Sequence, residues 1–289
     1  MNEPVPESLL IIAGRGEYPL LLADSARRHG VKRIAALAFK GETDSAIARK
    51  VDAVAWVRIG ALGAAYDALQ SFGIPLAVMA GQIKPTHLFQ MRMDSELLKL
   101  MASLKEKNAH SIFGAIGDAL MQRGITLMPA SRFMESNLTE PGVLTRRVPT
   151  DREYTDIQLG LRVAKATSGL DIGQTVVVKD GTILAVEAFE GTDKTIRRAG
   201  EIGGPGAVVV KVAKSGHDQR FDLPVIGSRT LNMLIKAKAA VLAVESNRTI
   251  LLGREALIET ANRANVTLVA MAPEKPHAEI GGEKKGQES

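Results

Sequence analysis

Residues Leu9–Gly30 read LLIIAGRGEYPLLLADSARRHG. A short apolar run closes on a glycine turn. A segment with apolar residues at helical spacing (Leu21, Leu22, Ala26) follows and stops at Gly30. The run and its flanks predict a buried strand, and the spacing predicts a helix. Strand, glycine turn and helix form the opening unit of a parallel α/β sheet, where backbone at a helix start can approach a phosphate. The dinucleotide fingerprint G-x-G-x-x-G is met at Gly14 and Gly16, but Pro19 holds its third place. Proline suits a first helical turn, yet it does not give the close helix–strand packing of a glycine. The acidic residue expected at the end of the second strand is displaced as well. Phe39, Lys40 and Gly41 stand there, with Glu42 offset. Nicotinamide chemistry is therefore disfavoured. Binding of another nucleotide remains, beside a turn needed only for backbone geometry.

The same rhythm continues outward. Strands are predicted at Ile34–Ala38, at Ala53–Val57 and in GIPLAVMAG, which ends at Gly81, with a helix at Leu62–Phe72. Gly81 closes a strand where ligands of parallel sheets lie. Helices at Leu97–Leu104 and Ile112–Arg123 and a short strand in GITLMPA follow. The polar stretch from Arg132 to Asp151 then breaks the pattern and is the expected domain junction. Beyond it, a helix is predicted at Asp151–Thr167 and a hairpin at Thr175–Val178 and Ile183–Glu187, turned by Asp180-Gly181. Helices at Thr192–Arg198, Ser228–Ala237 and Glu255–Ala264 alternate with strands at Ala207–Ala213, Val241–Glu245 and Val266–Met271. The expected fold is α/β in two domains: an N-terminal Rossmann-like parallel sheet over 1–132 and a mixed α/β domain over 133–272. A polar tail over 273–289 is expected to be disordered.

Composition narrows the function. The chain of 289 residues has no cysteine, so thiolate metal sites, disulfides and cysteine nucleophiles are excluded. A net charge of +5 is scattered, and an aromatic content of 4% argues against an RNA-stacking surface and against a nucleic-acid partner. The N-terminus lacks a basic, apolar leader, and no apolar run nears the roughly 20 residues of a membrane span. Cytoplasmic residence is the expectation. None of the five histidines forms a helical zinc pair, and no G-x-S-x-G elbow is present.

Two clusters carry the remaining chemistry. In AVEAFEGTDKTIRRAG, Glu187, Glu190 and Asp193 surround a strand-to-helix turn with Lys194, Arg197 and Arg198. Such a turn can gather a divalent cation and a phosphate, or be a solvated helix start with surface pairs. In HDQRFDLPVIGSRT, Asp222 precedes a helix opened by Gly227, Ser228, Arg229 and Thr230. That suits a water-activating or metal-binding carboxylate beside a phosphate, or a plain turn aspartate. Lys211 lies upstream as a candidate anion contact. Asp118, in the small-residue segment GAIGDALMQRG, either faces a cleft or only marks close helix packing.

Taken together, LIIAGRGEYPLLLA, GAIGDALMQRGI, VVVKDGTILAVEAFEGTDKTIRR and RFDLPVIGSRTL resemble the UDP-2,3-diacylglucosamine diphosphatase family of the LpxI type, from about residue 8 to about residue 271. The resemblance implies hydrolysis of UDP-2,3-diacylglucosamine to UMP and 2,3-diacylglucosamine 1-phosphate in the lipid A biosynthesis of a Gram-negative bacterium. Water would attack the sugar-side phosphorus, with a divalent cation such as Mg2+. It implies a nucleotide-side N-terminal domain, a C-terminal domain for the acylated sugar phosphate, and peripheral contact with the inner membrane. Asp222 matches the family's essential aspartate and would bind metal or orient water. Glu187, Glu190 and Asp193 would support it, Asp193 also as a metal ligand. Gly14, Gly16, Gly81, Asp118, Lys194, Lys211, Gly227 and Thr230 are the expected substrate contacts. A homodimer is left open, and a non-catalytic UDP-sugar or lipid-phosphate binding protein is the alternative from another class.

Overall fold

The computed structural model describes residues 4–83, 92–106, 108–214, 218–221 and 223–273. The first unit holds strands β1 (Ser8–Ala13), β2 (Arg33–Phe39), β3 (Ala53–Val57), β4 (Leu76–Ala80) and β5 (Thr126–Leu127). They form one sheet in the order β3-β2-β1-β4-β5, parallel throughout. Helices α1 (Tyr18–Arg28), α2 (Leu62–Ser71), α3 (Ser95–Ser103) and α4 (Ala109–Gln122) flank it. Strands covered on both faces must be apolar on both, which is why β1 and β2 read as continuous runs rather than alternations.

The order in which strands are laid down reverses between β1 and β4, the switch point where parallel sheets open a crevice. Here the two loops cross. Arg15 and Gln82 form a backbone bridge, with N–H···O distances of 2.7 and 3.1 Å, and the Gly14 amide donates to Ala80 at 2.7 Å. A Cβ on Gly14 would lie 2.8 Å from the Gln82 carbonyl oxygen, and one on Gly81 would lie 2.7 Å from that of Arg15. The glycine turn thus has a geometric cause that does not depend on a ligand.

The expected junction is more structured than its polarity suggests. It carries a 3-10 turn at Glu135–Asn137 and strand β6 (Gly142–Val143), which pairs antiparallel with the last strand among the described residues. The second unit follows from α5 (Asp151–Gly169), whose start is a capping box of Thr150 and Glu153. Strands β7 (Thr175–Lys179), β8 (Thr182–Val186), β9 (Val208–Lys211), β11 (Val241–Glu245) and β13 (Thr267–Met271) complete a mixed sheet in the order β6-β13-β11-β9-β7-β8. Helices α6 (Thr192–Gly203), α7 (Ser228–Lys236) and α8 (Arg254–Arg263) pack with it, and β10 (Val225–Ile226) pairs with β12 (Ile250–Leu251). Asp180 and Gly181 take positive φ, 54° and 76°, as the hairpin reading requires. Their amides donate to the carboxylate of Asp156, only 3% exposed, at 2.8 and 2.7 Å.

One apolar cluster joins the two units. Leu9, Ile11, Tyr18 and Leu22 pack with Phe133 and Met134 of the junction and with Ile250 and Leu252 of the second unit. Polar contacts follow the same seam. The Tyr18 hydroxyl donates to the Ala130 carbonyl, and Ser25 Oγ to that of Phe133 at 2.6 Å. Burial raises the Tyr18 phenol well above its ordinary range, with Glu135 adding to the effect. The call of a tail from residue 273 falls, beyond its first residue, outside the described residues.

Candidate active site

The carboxyl ends of the two sheets face a shared cleft of about 1370 Å³. One wall is polar. Glu187 follows β8, Lys211 ends β9, and Thr175 opens β7 between them. The Glu187 amide donates to the Thr175 carbonyl at 2.8 Å, and Thr175 is the register partner of Lys211. Directly opposed residues share a face, so Glu187, Thr175 and Lys211 form a row across three strands. Thr192, the first residue of α6, lies over that row. Its hydroxyl accepts from Lys211 Nζ at 2.8 Å and donates to Glu187 Oε1 at 2.9 Å. Lys211 is 5% exposed and Glu187 9%. Glu187 Oε2 is buried without a hydrogen-bond partner among the described residues.

The neighbouring carboxylates are committed elsewhere. Glu190 accepts from Arg198 at 2.7 Å and from the Ala188 amide at 3.2 Å. Burial pushes its carboxyl up, but its own amide, Arg198 and the Ala188 amide outweigh this and hold it below the usual range. Asp193 pairs with Arg229, tying the start of α6 to that of α7. Lys194, Gly227 and Thr230 line the cleft, as do Gly14, Gly16 and Gly81 of the first unit. Asp118 does not line the cleft. Its carboxylate accepts from Arg220 at 3.3 Å, and Arg220 is also held on Asp218 at 2.7 Å. Asp222 lies outside the described residues.

Sequence reasoning missed a shared property of the helix starts. The residues preceding α1, α2, α6 and α7 (Glu17, Ala61, Gly191 and Gly227) all line the cleft, and none caps its helix through a side chain. By contrast α3, α4 and α5 are capped by the side chains of Asp94, Asn108 and Thr150, although the first turns of α3 and α4 also border the cleft at Leu97 and His110. The start of α8 at Gly253 is uncapped too, outside it. Uncapped starts leave amide donors and the positive helix end available to an anion. The signal was in the sequence: Glu, Ala or Gly stands where the side-chain caps Ser, Thr, Asp or Asn are usual.

The other wall is apolar and belongs to the first unit. Leu62 of α2 and Phe113 and Ile116 of α4 line it with Phe39 and Met79 of the sheet, backed by the buried Tyr66, Leu69, Leu97 and Leu120. Phe221 closes this region, its ring 5.9 Å from those of His110 and Phe113.

Among the described residues, no three His, Asp or Glu side chains converge as a metal cage. A cation that arrives on phosphates does not need one, since Mg2+ is commonly held by one or two carboxylates plus phosphate oxygens. Glu187, Glu190 and Asp193 are carboxylates of the cleft that such a cation would meet.

Fold and cleft together define a two-domain α/β protein with an amphipathic cleft at the ends of its sheets. Models of the LpxI N-terminal domain and the LpxI C-terminal domain match residues 8–137 and 140–269. The chain belongs to the LpxI family. A relative from Caulobacter vibrioides, UDP-2,3-diacylglucosamine pyrophosphatase LpxI, is 29% identical over 278 residues, covering 92% of this chain and 98% of that protein. Among solved structures, the biotin carboxylase domain of a Hydrogenobacter thermophilus 2-oxoglutarate carboxylase aligns with 68% of this chain and 40% of its own, at 13% identity and a TM-score of 0.27. That likeness carries no argument.

Proposed function

We propose that this chain hydrolyses the pyrophosphate bond of UDP-2,3-diacylglucosamine, releasing UMP and 2,3-diacylglucosamine 1-phosphate as a step of lipid A biosynthesis. The observation that carries the reading is the pairing of walls in one cleft. A buried lysine and uncapped helix starts stand on one side, and a continuous apolar face on the other. A diphosphate needs the first and two acyl chains need the second. The relative's name gives the substrate that has both.

The acyl chains are assigned to the groove of α2, α3 and α4, hence to the N-terminal unit rather than to the C-terminal one implied by the resemblance. The diphosphate is assigned to Lys211 and the starts of α1, α6 and α7. Asp222 is the proposed essential carboxylate. Bound Mg2+ would neutralise phosphate charge. Asp222 would hold it, with Asp193 as a second carboxylate once released from Arg229. No described helix is long and apolar enough to cross a membrane. The proposed contact with the cytoplasmic face of the inner membrane runs through exposed Leu170, Ile172 and Phe189.

The test is UMP release from dispersed UDP-2,3-diacylglucosamine by the purified protein, with Mg2+ and with EDTA. Release that EDTA abolishes is the expected result. Binding without release would favour a carrier of UDP-sugars or lipid phosphates, and an inert Asp222→Ala protein would tie any observed turnover to that carboxylate.

A further inference from the structure

Of Glu187, Glu190 and Asp193 around the turn from β8 to α6, Glu187 keeps a buried oxygen with no hydrogen-bond partner among the described residues. Glu190 is held by Arg198 and Asp193 by Arg229. A buried acceptor left empty is costly and rare in folded proteins, and this one borders the ligand cleft. Its other oxygen is fixed by Thr192, which is fixed in turn by Lys211. Lys211 thereby supplies the counter-charge through one hydroxyl. An ammonium has three donors, and only the contact with Thr192 is made here by Lys211 Nζ among the described residues. Its remaining donors are available to a phosphoryl oxygen. Because a single hydroxyl links lysine to carboxylate, whatever binds each of them are neighbours. A phosphoryl group on Lys211 would sit beside an empty carboxylate oxygen, an acceptor with room for the hydrogen-bond donor that a water supplies.

We infer that Glu187 Oε2 seats and deprotonates the attacking water, with Thr192 and Lys211 as the residues that position it against the sugar-side phosphorus. This rests on the diphosphatase reading. The water oxygen bonds to phosphorus, and one of its protons passes to Glu187. The bond from that phosphorus to the bridging oxygen breaks, and UMP leaves with the electron pair. One water is consumed for each substrate cleaved. Glu190 then holds the turn in shape through Arg198, and neither it nor Asp193 takes part in proton transfer.

The experiment is steady-state UMP release by the full chain with UDP-2,3-diacylglucosamine and Mg2+, comparing wild type with Glu187→Gln. Glutamine keeps the shape and the contact with Thr192 but cannot take the proton. The expected result is a fall in kcat of about a hundredfold or more, with KM within threefold and binding of UMP unchanged. A kcat within threefold of wild type overturns the inference. So does a loss carried by KM alone, which would mean that Glu187 binds a substrate hydroxyl. If Glu187→Gln does not fold, Thr192→Val decides. It keeps both charges and removes the link, so a kcat loss of about tenfold at constant KM is expected, and unchanged kcat overturns the assignment. Wild-type protein without turnover removes the diphosphatase reading itself, a failure distinct from an active wild type beside an equally active variant.

Discussion

The crossing of the β1 and β4 loops separates two reasons for a glycine that a sequence shows as one. Three alanine substitutions test them. Gly14 lacks a positive φ, so Gly14→Ala meets only the clash with backbone of Gly81 and Gln82, at 2.8–2.9 Å. Backbone atoms cannot swing aside as a side-chain tip can, and overpacking of this kind costs about 1–3 kcal/mol. Gly16 has φ 97° and open space around its Cβ position. Gly16→Ala therefore meets only the left-handed conformation, a cost of about 1–2 kcal/mol. Gly81 combines φ 90° with a contact of 2.7 Å to the Arg15 carbonyl. Gly81→Ala should cost roughly the sum, about 2–5 kcal/mol. Urea denaturation of the three variants and wild type reads these differences from the midpoints, provided the slopes agree. Gly14→Ala as stable as wild type would refute the crossing as the cause. So would Gly81→Ala no less stable than Gly16→Ala.

Three further outcomes are expected. Asp156→Ala removes the buried carboxylate that accepts from the amides of Asp180 and Gly181, and urea midpoints should show a loss of about 1–3 kcal/mol, with Asp156→Asn losing less. Hydrogen bonding to Arg220 holds the Asp218 carboxyl below its ordinary value, against a smaller opposing effect of burial. A lowered folded-state value stabilises above the unfolded carboxyl pKa of about 3.9 and fades as pH falls through the folded value. The stability gap between wild type and Asp218→Asn should therefore be full at pH 6 and shrink below about pH 4; a gap independent of pH would contradict the pairing. Lys211→Met should lower kcat/KM for UMP release by about a hundredfold or more and weaken inhibition by added UMP.

The order of strands and helices was largely legible because both sheets are built from short apolar runs. Buried on two faces, β1, β2 and β9 leave no other reading for their residues. The Asp180-Gly181 turn was equally plain, since its conformation is local. What escaped is non-local. Strands β6, β10 and β12 have two residues each, too few to show a period. Glu187, Glu190 and Asp193 look alike in the sequence. Only the fold brings Arg198 and Arg229 to two of them and leaves the third beside Lys211, through the antiparallel register of β7 with its neighbours. Thr192 reads as a helix cap, yet its hydroxyl bridges that pair. The apolar wall could not be told from core, because a groove and an interior use the same residues at the same spacing.

The apolar cluster that runs from Leu9 and Leu22 through Phe133 to Ile250 and Leu252 bears on how this chain can be inherited. Neither half owns a finished interior along that seam. A gene cut at the junction would yield two polypeptides, each with an oily flank seeking the other. Exchange of one half for a distant counterpart would have to match the packing of Tyr18 and Met134 as well as the backbone. Substitutions along the seam are thus constrained in pairs, one from each side, and recombination within the family is expected to move the two halves together.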